Sequence, residues 1–295
     1  MILIAGSTGI IGSYLVNELK TIGYKIIGMG NQELDMDNYH CVDLTNIVET
    51  EKVVEKIERP TLLVFLVALA HEKGARKDYE QFEKINFQTL KNLLSSLEEQ
   101  NKLPRKIVFS STISVYGEQF NITEYREESD LKPRSPYAVT KKMAEKFLLT
   151  KYHDRTTILR FAPVYSKSLL LNINRRVKIN SLFYKVGGGN QKLSLLNIRN
   201  IPVVIEKIFE DRLPPGIYNL ADDRIYSYSD MLKHFGTSSS IRIPRIIFMT
   251  LFLFAKITGN YRLKENTIKL LTDNIYPVDK IKKVIDIPYT IDEIA

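Results

Sequence analysis

Cysteine and histidine are scarce in this 295-residue chain, and their scarcity excludes two kinds of site. Cys41 is the only cysteine, so no intrachain disulfide can form, which is compatible with a reducing compartment. The four histidines, His40, His71, His153 and His234, show no metal-ligand spacing. We therefore expect neither a disulfide framework nor a metal site.

Long hydrophobic runs are also missing. The most apolar stretch, residues 246–255, is shorter than the roughly 20 residues that a membrane-spanning helix needs. We expect a buried or oligomer-forming helix there, which allows a homodimer. Contact with a membrane surface is the alternative, because Arg245 and Lys256 flank the stretch. The first predicted strand begins at residue 2, so we expect no secretion signal and a cytoplasmic location.

Charge is unbalanced but not clustered. Lys and Arg number 42 against 34 Asp and Glu, which gives a formal net charge of +8. The basic residues are spread along the chain without a recognition motif, so we expect no nucleic-acid partner. A basic surface also suits an anionic small substrate. Hydrophobic residues make up 44% of the chain, as in ordinary globular proteins.

The first half of the chain alternates short apolar runs with helical patterns. The predicted strands cover residues 2–5, 25–29, 62–69, 106–110 and 157–161. The predicted helices between them cover residues 11–21, 46–57, 82–100 and 136–152. This alternation is typical of βαβ units around a parallel sheet, and the continuously apolar run 62–69 predicts a strand covered on both faces.

After residue 161 the alternation becomes irregular. We predict a turn at residues 187–190, strands at 193–198 and 216–220, and helices with short connections from residue 229. The fold class is therefore α/β, with a Rossmann-type doubly wound parallel sheet in residues 1–163 that is rejoined by strands within 193–222. A smaller, mostly helical lobe follows in residues 164–295, over the edge of the sheet where such folds bind ligands.

Three glycines stand between the first strand and the first helix. The spacing Gly6-x-x-Gly9-x-x-Gly12 allows a tight turn and lets the backbone approach a pyrophosphate closely. The amino end of the helix then offers N–H groups and a positive dipole to that anion. A tight turn without a ligand is the alternative.

Tyr137 and Lys141 lie four residues apart in a predicted helix and so share one face. An ammonium beside the phenol favours the ionised tyrosine, which can then move protons near neutral pH. By itself this spacing is common by chance, and a solvated helix face is the alternative. Its meaning depends on the motifs around it.

Further motifs follow one another in order along the chain. They are Asp43-Leu44, Ala68-Leu69-Ala70-His71, Asn86, Ser110-Ser111-Thr112-Ile113-Ser114-Val115-Tyr116-Gly117, Arg160-Phe161-Ala162-Pro163-Val164-Tyr165 and Tyr218-Asn219-Leu220-Ala221. With the glycine turn and Pro136-Tyr137-x-x-x-Lys141, the chain resembles the extended short-chain dehydrogenase/reductase group. It is most similar there to the NAD-dependent epimerase/dehydratase family, which modifies nucleotide-linked sugars, and the resemblance covers nearly the whole chain.

The resemblance implies a role for each matching residue. Tyr137 would be the proton donor or acceptor, Lys141 the ribose anchor that tunes its pKa, and Thr112 a ligand of the substrate oxygen. The implied cofactor, NAD or NADP, would be bound by Gly6, Thr8, Gly9, Ile10, Ile11, Gly12, Asp43, Leu44, Ala68, Ala70, Ser110, Tyr137, Lys141, Phe161 and Val164. The implied nucleotide-diphosphate sugar would meet Thr112, Tyr137, Asn172 and Lys192. Asn86 either supports the site from below or is a polar residue in a packed helix.

This chain departs from the family pattern at two places, of which the first concerns the cofactor and the second the reaction. NAD-preferring members place an acid at the end of the second strand, where this chain has Gly30, yet no adjacent Arg is present to hold a 2′-phosphate. The choice between NAD and NADP stays open, with NAD preferred.

Sugar dehydratases place an acid pair where this chain has Ile113 and Ser114, which disfavours dehydration. We therefore expect a nucleotide-sugar 4-epimerase, with an NADPH-dependent 4-ketosugar reductase as the alternative. A non-catalytic NAD(P) redox sensor is a third hypothesis, which the Tyr137/Lys141 pair disfavours.

Overall fold

The computed structural model describes residues 1–69, 79–237 and 239–293. The chain forms two compact units. Unit 1 comprises Met1–Thr112, Pro136–Leu159 and Ile201–Ile217, and unit 2 comprises Ile113–Ser135, Arg160–Asn200 and Tyr218–Ala295. These units are groups of mutually packed residues, so the predicted domain division at residues 163/164 stays a prediction.

In the first half, the strands and helices follow the order that the sequence predicts, with an additional short strand at Tyr39–Cys41. The strands are β1 (Ile2–Ala5), β2 (Ile26–Gly30), β3 (Tyr39–Cys41), β4 (Leu62–Phe65), β5 (Lys106–Thr112), β6 (Thr156–Phe161), β7 (Val164–Tyr165), β8 (Lys178–Ile179), β9 (Leu182–Val186), β10 (Lys192–Ser194), β11 (Leu196–Asn197), β12 (Gly216–Leu220), β13 (Ile225–Ser227) and β14 (Ile241–Ile243). The helices are α1 (Ile10–Thr21), α2 (Ile47–Lys56), α3 (Tyr79–Glu83), α4 (Thr89–Glu99), α5 (Pro136–Lys151), α6 (Leu171–Val177), α7 (Asn200–Phe209), α8 (Tyr228–His234), α9 (Arg245–Ile257), α10 (Tyr261–Leu271) and α11 (Asp279–Lys282).

A seven-stranded sheet has the order β3-β2-β1-β4-β5-β6-β12. The pairs from β3 to β5 are parallel, with Ala5 beside Met29 on one side and Phe65 on the other. The strand order reverses between β1 and β4, and ligands of doubly wound folds bind at the carboxyl ends of strands at such a reversal. The predicted α/β fold with a doubly wound sheet is confirmed.

The core of unit 1 explains why these segments form strands and helices. All residues of β1, β2 and β4 are buried, as expected for parallel strands covered on both faces. Helix α4 presents Leu90, Leu93, Leu94 and Leu97 at helical spacing to this core. Each leucine is fully buried, so the strand–helix packing fixes where the ends of β1, β4 and β5 lie.

Four predicted elements differ from the structure. The run 62–69 is a strand only to Phe65, because the backbone of Leu66 and Val67 passes beside Gly6. The helix predicted for residues 82–100 contains a π-helical segment, Lys84–Gln88, between α3 and α4. The strand predicted for residues 193–198 is divided into β10 and β11, and β14 interrupts the helical region after residue 229.

Unit 2 has separate small cores beside short strands. One core joins α6 and α8 through Ile173, Val177, Met231 and Leu232. A second joins β9 to α9 and α10 through Tyr184, Val186, Phe248 and Leu271. Within the three described ranges, no helix is both long and apolar enough to cross a membrane.

Candidate active site

The turn after β1 is built so that two backbone segments touch. Gly6 has φ +85°, in the left-handed region that favours glycine. A Cβ on Gly12 would overlap the carbonyl oxygen of Gly6, so the first turn of α1 lies against the loop with no room for a side chain. The loop is also bound to β2, because the N–H groups of Gly6 and Ser7 donate to the carbonyl of Met29 at 2.8 and 3.0 Å.

The amino end of α1 suits an anion. Gly9 is the N-cap in extended conformation, and within the described chain no side chain caps this helix and no acidic residue lies in its first turn. The N–H groups at a helix start carry partial positive charge and bind phosphate oxygens readily. The predicted contacts Thr8, Gly9 and Ile10 lie in this turn, with Gly9 and Ile10 exposed. The turn therefore fits the pyrophosphate of a dinucleotide.

Gly30, where NAD-preferring relatives have an acid, is enclosed by two hydroxyl groups. A Cβ at this position would lie 2.8 Å from Oγ1 of Thr8 and 2.9 Å from the hydroxyl oxygen of Tyr39. The Tyr39 hydroxyl donates to the carbonyl of Gln32 at 2.6 Å, which holds the ring in place. A cleft of about 320 Å³ beside these groups is lined by Thr8, Gln32 and Tyr39 among others. The sequence showed the missing acid but not the two hydroxyls that occupy its place.

Strand β5 and helix α5 bring the predicted catalytic residues into unit 1. Thr112 is the last residue of β5 and is buried. The Nζ of Lys141 donates to the carbonyl of Ser110 at 2.8 Å, two residues before Thr112. The Ser110 hydroxyl in turn donates to the carbonyl of Phe65 at the end of β4, at 3.0 Å. Tyr137 lies one helical turn before Lys141 on α5.

The surroundings of Lys141 disfavour its charge. The side chain is buried, with Nζ 4.6 Å from the centre of the Phe109 ring. Burial lowers the pKa of Lys141 from 10.5 to about 7. The negative charge of Glu145 raises this pKa, but by less than burial lowers it. The protonated and neutral forms of this amine therefore coexist near neutral pH. A change from one form to the other would change the pKa of a nearby tyrosine.

Glu145 is a site residue that sequence reasoning missed. It is buried on α5, one turn beyond Lys141, and accepts a hydrogen bond from the hydroxyl of Ser111. Its carboxylate supports the positive form of Lys141. The signal was available, since Tyr137, Lys141 and Glu145 repeat every four residues along one helix face.

Asn86 holds three segments together. Its carbonyl oxygen accepts from the N–H of Leu69 at 2.6 Å, and its amide nitrogen donates to the Thr140 hydroxyl at 3.1 Å. The residue is fully buried in the π-helical segment. It thus joins the loop after β4 to the helix that carries Tyr137 and Lys141.

Other predicted cofactor contacts of unit 1 follow the ends of β3 and β4. Asp43 is exposed and accepts from the N–H of Thr45 at 2.9 Å, while Leu44 is buried. Ala68 is exposed in the loop after β4. Ala70 and the neighbouring His71 lie outside the described residues.

The remaining predicted contacts belong to unit 2. Phe161 ends β6 and Val164 begins β7, and both are buried. The amide nitrogen of Asn172 donates to the carbonyl of Val164 at 2.8 Å, which orients this side chain on α6. Lys192 is exposed on β10, where its own N–H donates to Asp273 at 2.9 Å. The structure thus brings Asn172 and Val164 together.

Several motif residues form buried hydrogen bonds with one another inside unit 2. The Tyr116 hydroxyl donates to Oδ1 of Asn219 at 2.6 Å and accepts from Arg160 at 3.0 Å. Arg160 also donates to the carbonyl of Glu127 at 2.9 Å, and its guanidinium lies 4.9 Å from the Tyr116 ring centre. All three motif residues are buried, so these parts of the family pattern maintain the core of unit 2.

The sequence of this chain is similar to a known family and to several curated proteins. The family model described as the NAD dependent epimerase/dehydratase family matches residues 2–221. UDP-glucuronate 4-epimerase 1 of Arabidopsis thaliana is 27% identical over 186 residues, which cover 56% of this chain and 42% of the relative. The chain spans about half the length of the first curated relatives that it matches.

Two solved structures have a similar fold over almost the whole chain. A UDP-glucuronic acid 4-epimerase from Bacillus cereus, in complex with NAD, has a TM-score of 0.72 at 19% identity, covering 99% of this chain and 93% of that one. A UDP-glucose 4-epimerase from Thermotoga maritima, with UDP-glucose, has a TM-score of 0.74 at 18% identity, covering 99% and 95%. With the family model matching most of its length, the chain belongs to the NAD-dependent epimerase/dehydratase family.

Proposed function

We propose that this protein is a nucleotide-diphosphate-sugar 4-epimerase that uses a bound nicotinamide dinucleotide, with NAD preferred. One observation carries the proposal: the buried Lys141 amine, tied to the end of β5 at Ser110, lies one helical turn from Tyr137 in the unit that holds the glycine turn. Proton transfer by a tuned tyrosine is the chemistry that such a pair supports.

The residues present fit the proposed cofactor. The Gly6–Gly12 contact leaves the backbone of the turn open to a pyrophosphate, and a helix amino end without an acidic first turn faces it. The hydroxyls of Thr8 and Tyr39 at Gly30 are neutral partners for ribose hydroxyls. A nicotinamide dinucleotide held by these residues would supply reversible hydride transfer.

The chain's own groups handle the proton. Ionised Tyr137 removes the proton of the sugar C4 hydroxyl while that carbon loses hydride, so a C4 carbonyl forms. Thr112 donates a hydrogen bond to the C4 oxygen and fixes its position. The keto sugar would then rotate so that its other face receives the hydride. Tyr137 returns the proton to the C4 oxygen. In its protonated form, Lys141 supplies positive charge that lowers the pKa of Tyr137.

Unit 2 supplies the proposed substrate contacts. One amide N–H of Asn172 is used by Val164, and we assign the other to a phosphate oxygen of the substrate. The exposed ammonium of Lys192 balances phosphate charge. Ile113, directly after Thr112, is buried and has no acidic group, so elimination of water is not part of the proposed reaction.

The test is a turnover assay with purified protein, UDP-sugars and no added cofactor. We expect formation of the C4 epimer, with NAD copurifying. Tyr137→Phe should lower the rate by about 10²–10⁴-fold, because the proton acceptor is removed. Tyr24→Phe, a change at a tyrosine that packs on Phe209, is the matched control and should retain the rate.

Two results would contradict the epimerase. Protein that is inert until a 4-keto sugar and NADPH are supplied would be a ketoreductase, with the same residues moving the proton. Biological activity that survives Tyr137→Phe unchanged would instead indicate a redox sensor.

A further inference from the structure

Helix α9 is apolar on all sides, yet this chain covers only one side. Phe248 and Ala255 are buried, and Phe248 packs on Tyr184, with ring centres 6.4 Å apart. The opposite face is formed by large apolar side chains that are 42–85% exposed. We call this surface the α9 face, and its residues are Ile246, Ile247, Met249, Leu253, Phe254 and Ile257.

A helix of this composition is ordinarily enclosed. Helices that are hydrophobic all round occur in the cores of large proteins or in membranes. At 13 residues, α9 is about 20 Å long, which is too short to cross a hydrocarbon layer of about 30 Å. It is long enough to lie in the plane of a bilayer surface with one face buried among the acyl chains.

The charges beside the helix indicate which surface it meets. Residues 241–264 contain no Asp or Glu and carry basic side chains only, at Arg242, Arg245, Lys256, Arg262 and Lys264. Arg242, Lys256 and Arg262 are exposed, and none of them forms an ion pair with another residue that the structure describes. Arg245 and Lys256 lie at the two ends of α9, so a cation borders the apolar face at each end.

We propose that the α9 face docks on a bilayer surface that contains anionic lipid. Apolar side chains enter the acyl boundary while the bordering Arg and Lys side chains meet lipid phosphates. A second copy of this chain fits less well, because a two-fold contact through α9 would bring the same uncompensated cations together from both sides. The inference is independent of the proposed reaction.

The first experiment is flotation of the full-length protein with vesicles. We expect it to float with vesicles of phosphatidylcholine and phosphatidylglycerol, and much less with phosphatidylcholine alone. Replacing Ile246 and Leu253 together by Glu should weaken binding by at least about tenfold, since each large apolar side chain contributes roughly that factor. The matched control replaces Ile225 and Val284 by Glu, because these residues of unit 2 are also about half exposed but lie outside α9.

A second experiment does not depend on disruptive changes. The chain contains no tryptophan, so Phe254→Trp places a single fluorophore on the α9 face. We expect its emission to shift to the blue with anionic vesicles and to be quenched by lipids brominated in the acyl chains. Val284→Trp should show neither effect.

The proposal is overturned if the wild-type protein and Phe254→Trp show no response to anionic vesicles. It is also overturned if sedimentation shows a dimer that the Ile246/Leu253 change dissociates while vesicle binding is absent. In that case a second copy covers the face. Binding that withstands both the double Glu change and high salt would place the lipid contact elsewhere and equally contradict α9.

Discussion

At the scale of single residues, the amine of Lys141 carries a charge that its surroundings disfavour. Its buried side chain meets a backbone carbonyl and the Phe109 ring, and it feels the charge of the Glu145 carboxylate. Active sites are where such perturbed groups occur, because a group that titrates near neutral pH can respond to a proton moving beside it. The same burial must affect folding.

The pKa of Lys141 gives a signed prediction for stability. The folded value of about 7 lies below the unfolded value of 10.5, so the unfolded chain binds more protons between these two values. The penalty for burying Lys141 is therefore full below pH 7 and disappears as the pH rises towards 10.5. We expect Lys141→Met to raise the free energy of unfolding relative to wild type by a few kcal/mol more at about pH 6.5 than at about pH 9.5.

Urea unfolding at both pH values measures this difference. Lys146→Met, at an exposed lysine of the same helix, is the matched control and should show no pH dependence relative to wild type. A stability difference for Lys141→Met that is constant with pH would mean that the amine is solvated in the folded protein.

At the scale of elements, two glycines in the turn from β1 to α1 differ in whether the fold itself requires them. Gly12 has no space for a Cβ because the Gly6 carbonyl fills it, whereas a Cβ on Gly9 would lie 3.4 Å from the same oxygen, in ordinary contact. Gly9 also has φ −71°, which any residue adopts. Both glycines are equally visible in the sequence, but only the structure distinguishes them.

We expect Gly12→Ala to lower the free energy of unfolding by roughly 2–3 kcal/mol or more, because the loop and helix must move apart. Gly9→Ala should retain stability and instead weaken binding of NAD, since its methyl group stands where the backbone would approach the pyrophosphate. Thermal unfolding and calorimetric titration with NAD measure the two effects. Equal loss of stability in both variants would contradict this division of roles.

Sequence patterns predicted the elements well where one local rule decides the outcome. The predicted strands at residues 2–5 and 216–220 coincide with β1 and β12. The end of β4 was missed because apolar composition continues to Leu69, while the strand stops where its backbone passes Gly6. The exposure of α9 could not be foreseen, since an apolar run shows no polar face from which to read the solvent side.

The candidate site was predictable in its chemistry but not in its surroundings. Tyr137, Lys141 and Thr112 occur in motifs of the family, so their positions on α5 and β5 could be anticipated. The bond from Lys141 to Ser110 and the hydroxyls of Thr8 and Tyr39 around Gly30 depend on residues far apart in sequence. No periodicity within one element could have revealed them.

At the scale of the whole molecule, the formal net charge of +8 predicts how the protein would attract the proposed substrate. An anionic nucleotide sugar is attracted over a distance that salt shortens from about 10 Å at 0.1 M to a few ångströms at 1 M. We expect kcat/KM to fall several-fold as salt rises across this range, with kcat nearly constant. Steady-state kinetics measure this salt dependence, with sucrose in place of salt as an uncharged control. A fall confined to kcat would contradict long-range electrostatic attraction of the substrate.

The path of the chain through the two units has a consequence for dissecting the protein. Each unit is assembled from three separate segments, and the chain alternates between them. No single cleavage point yields a fragment that consists of one unit alone, because a cut after residue 217 keeps unit 1 whole but also retains two segments of unit 2. Removing a piece as short as residues 201–217 takes all of helix α7 except its first residue. Chimaeras with relatives must therefore exchange matched sets of three segments, because no single crossover replaces one whole unit and leaves the other intact.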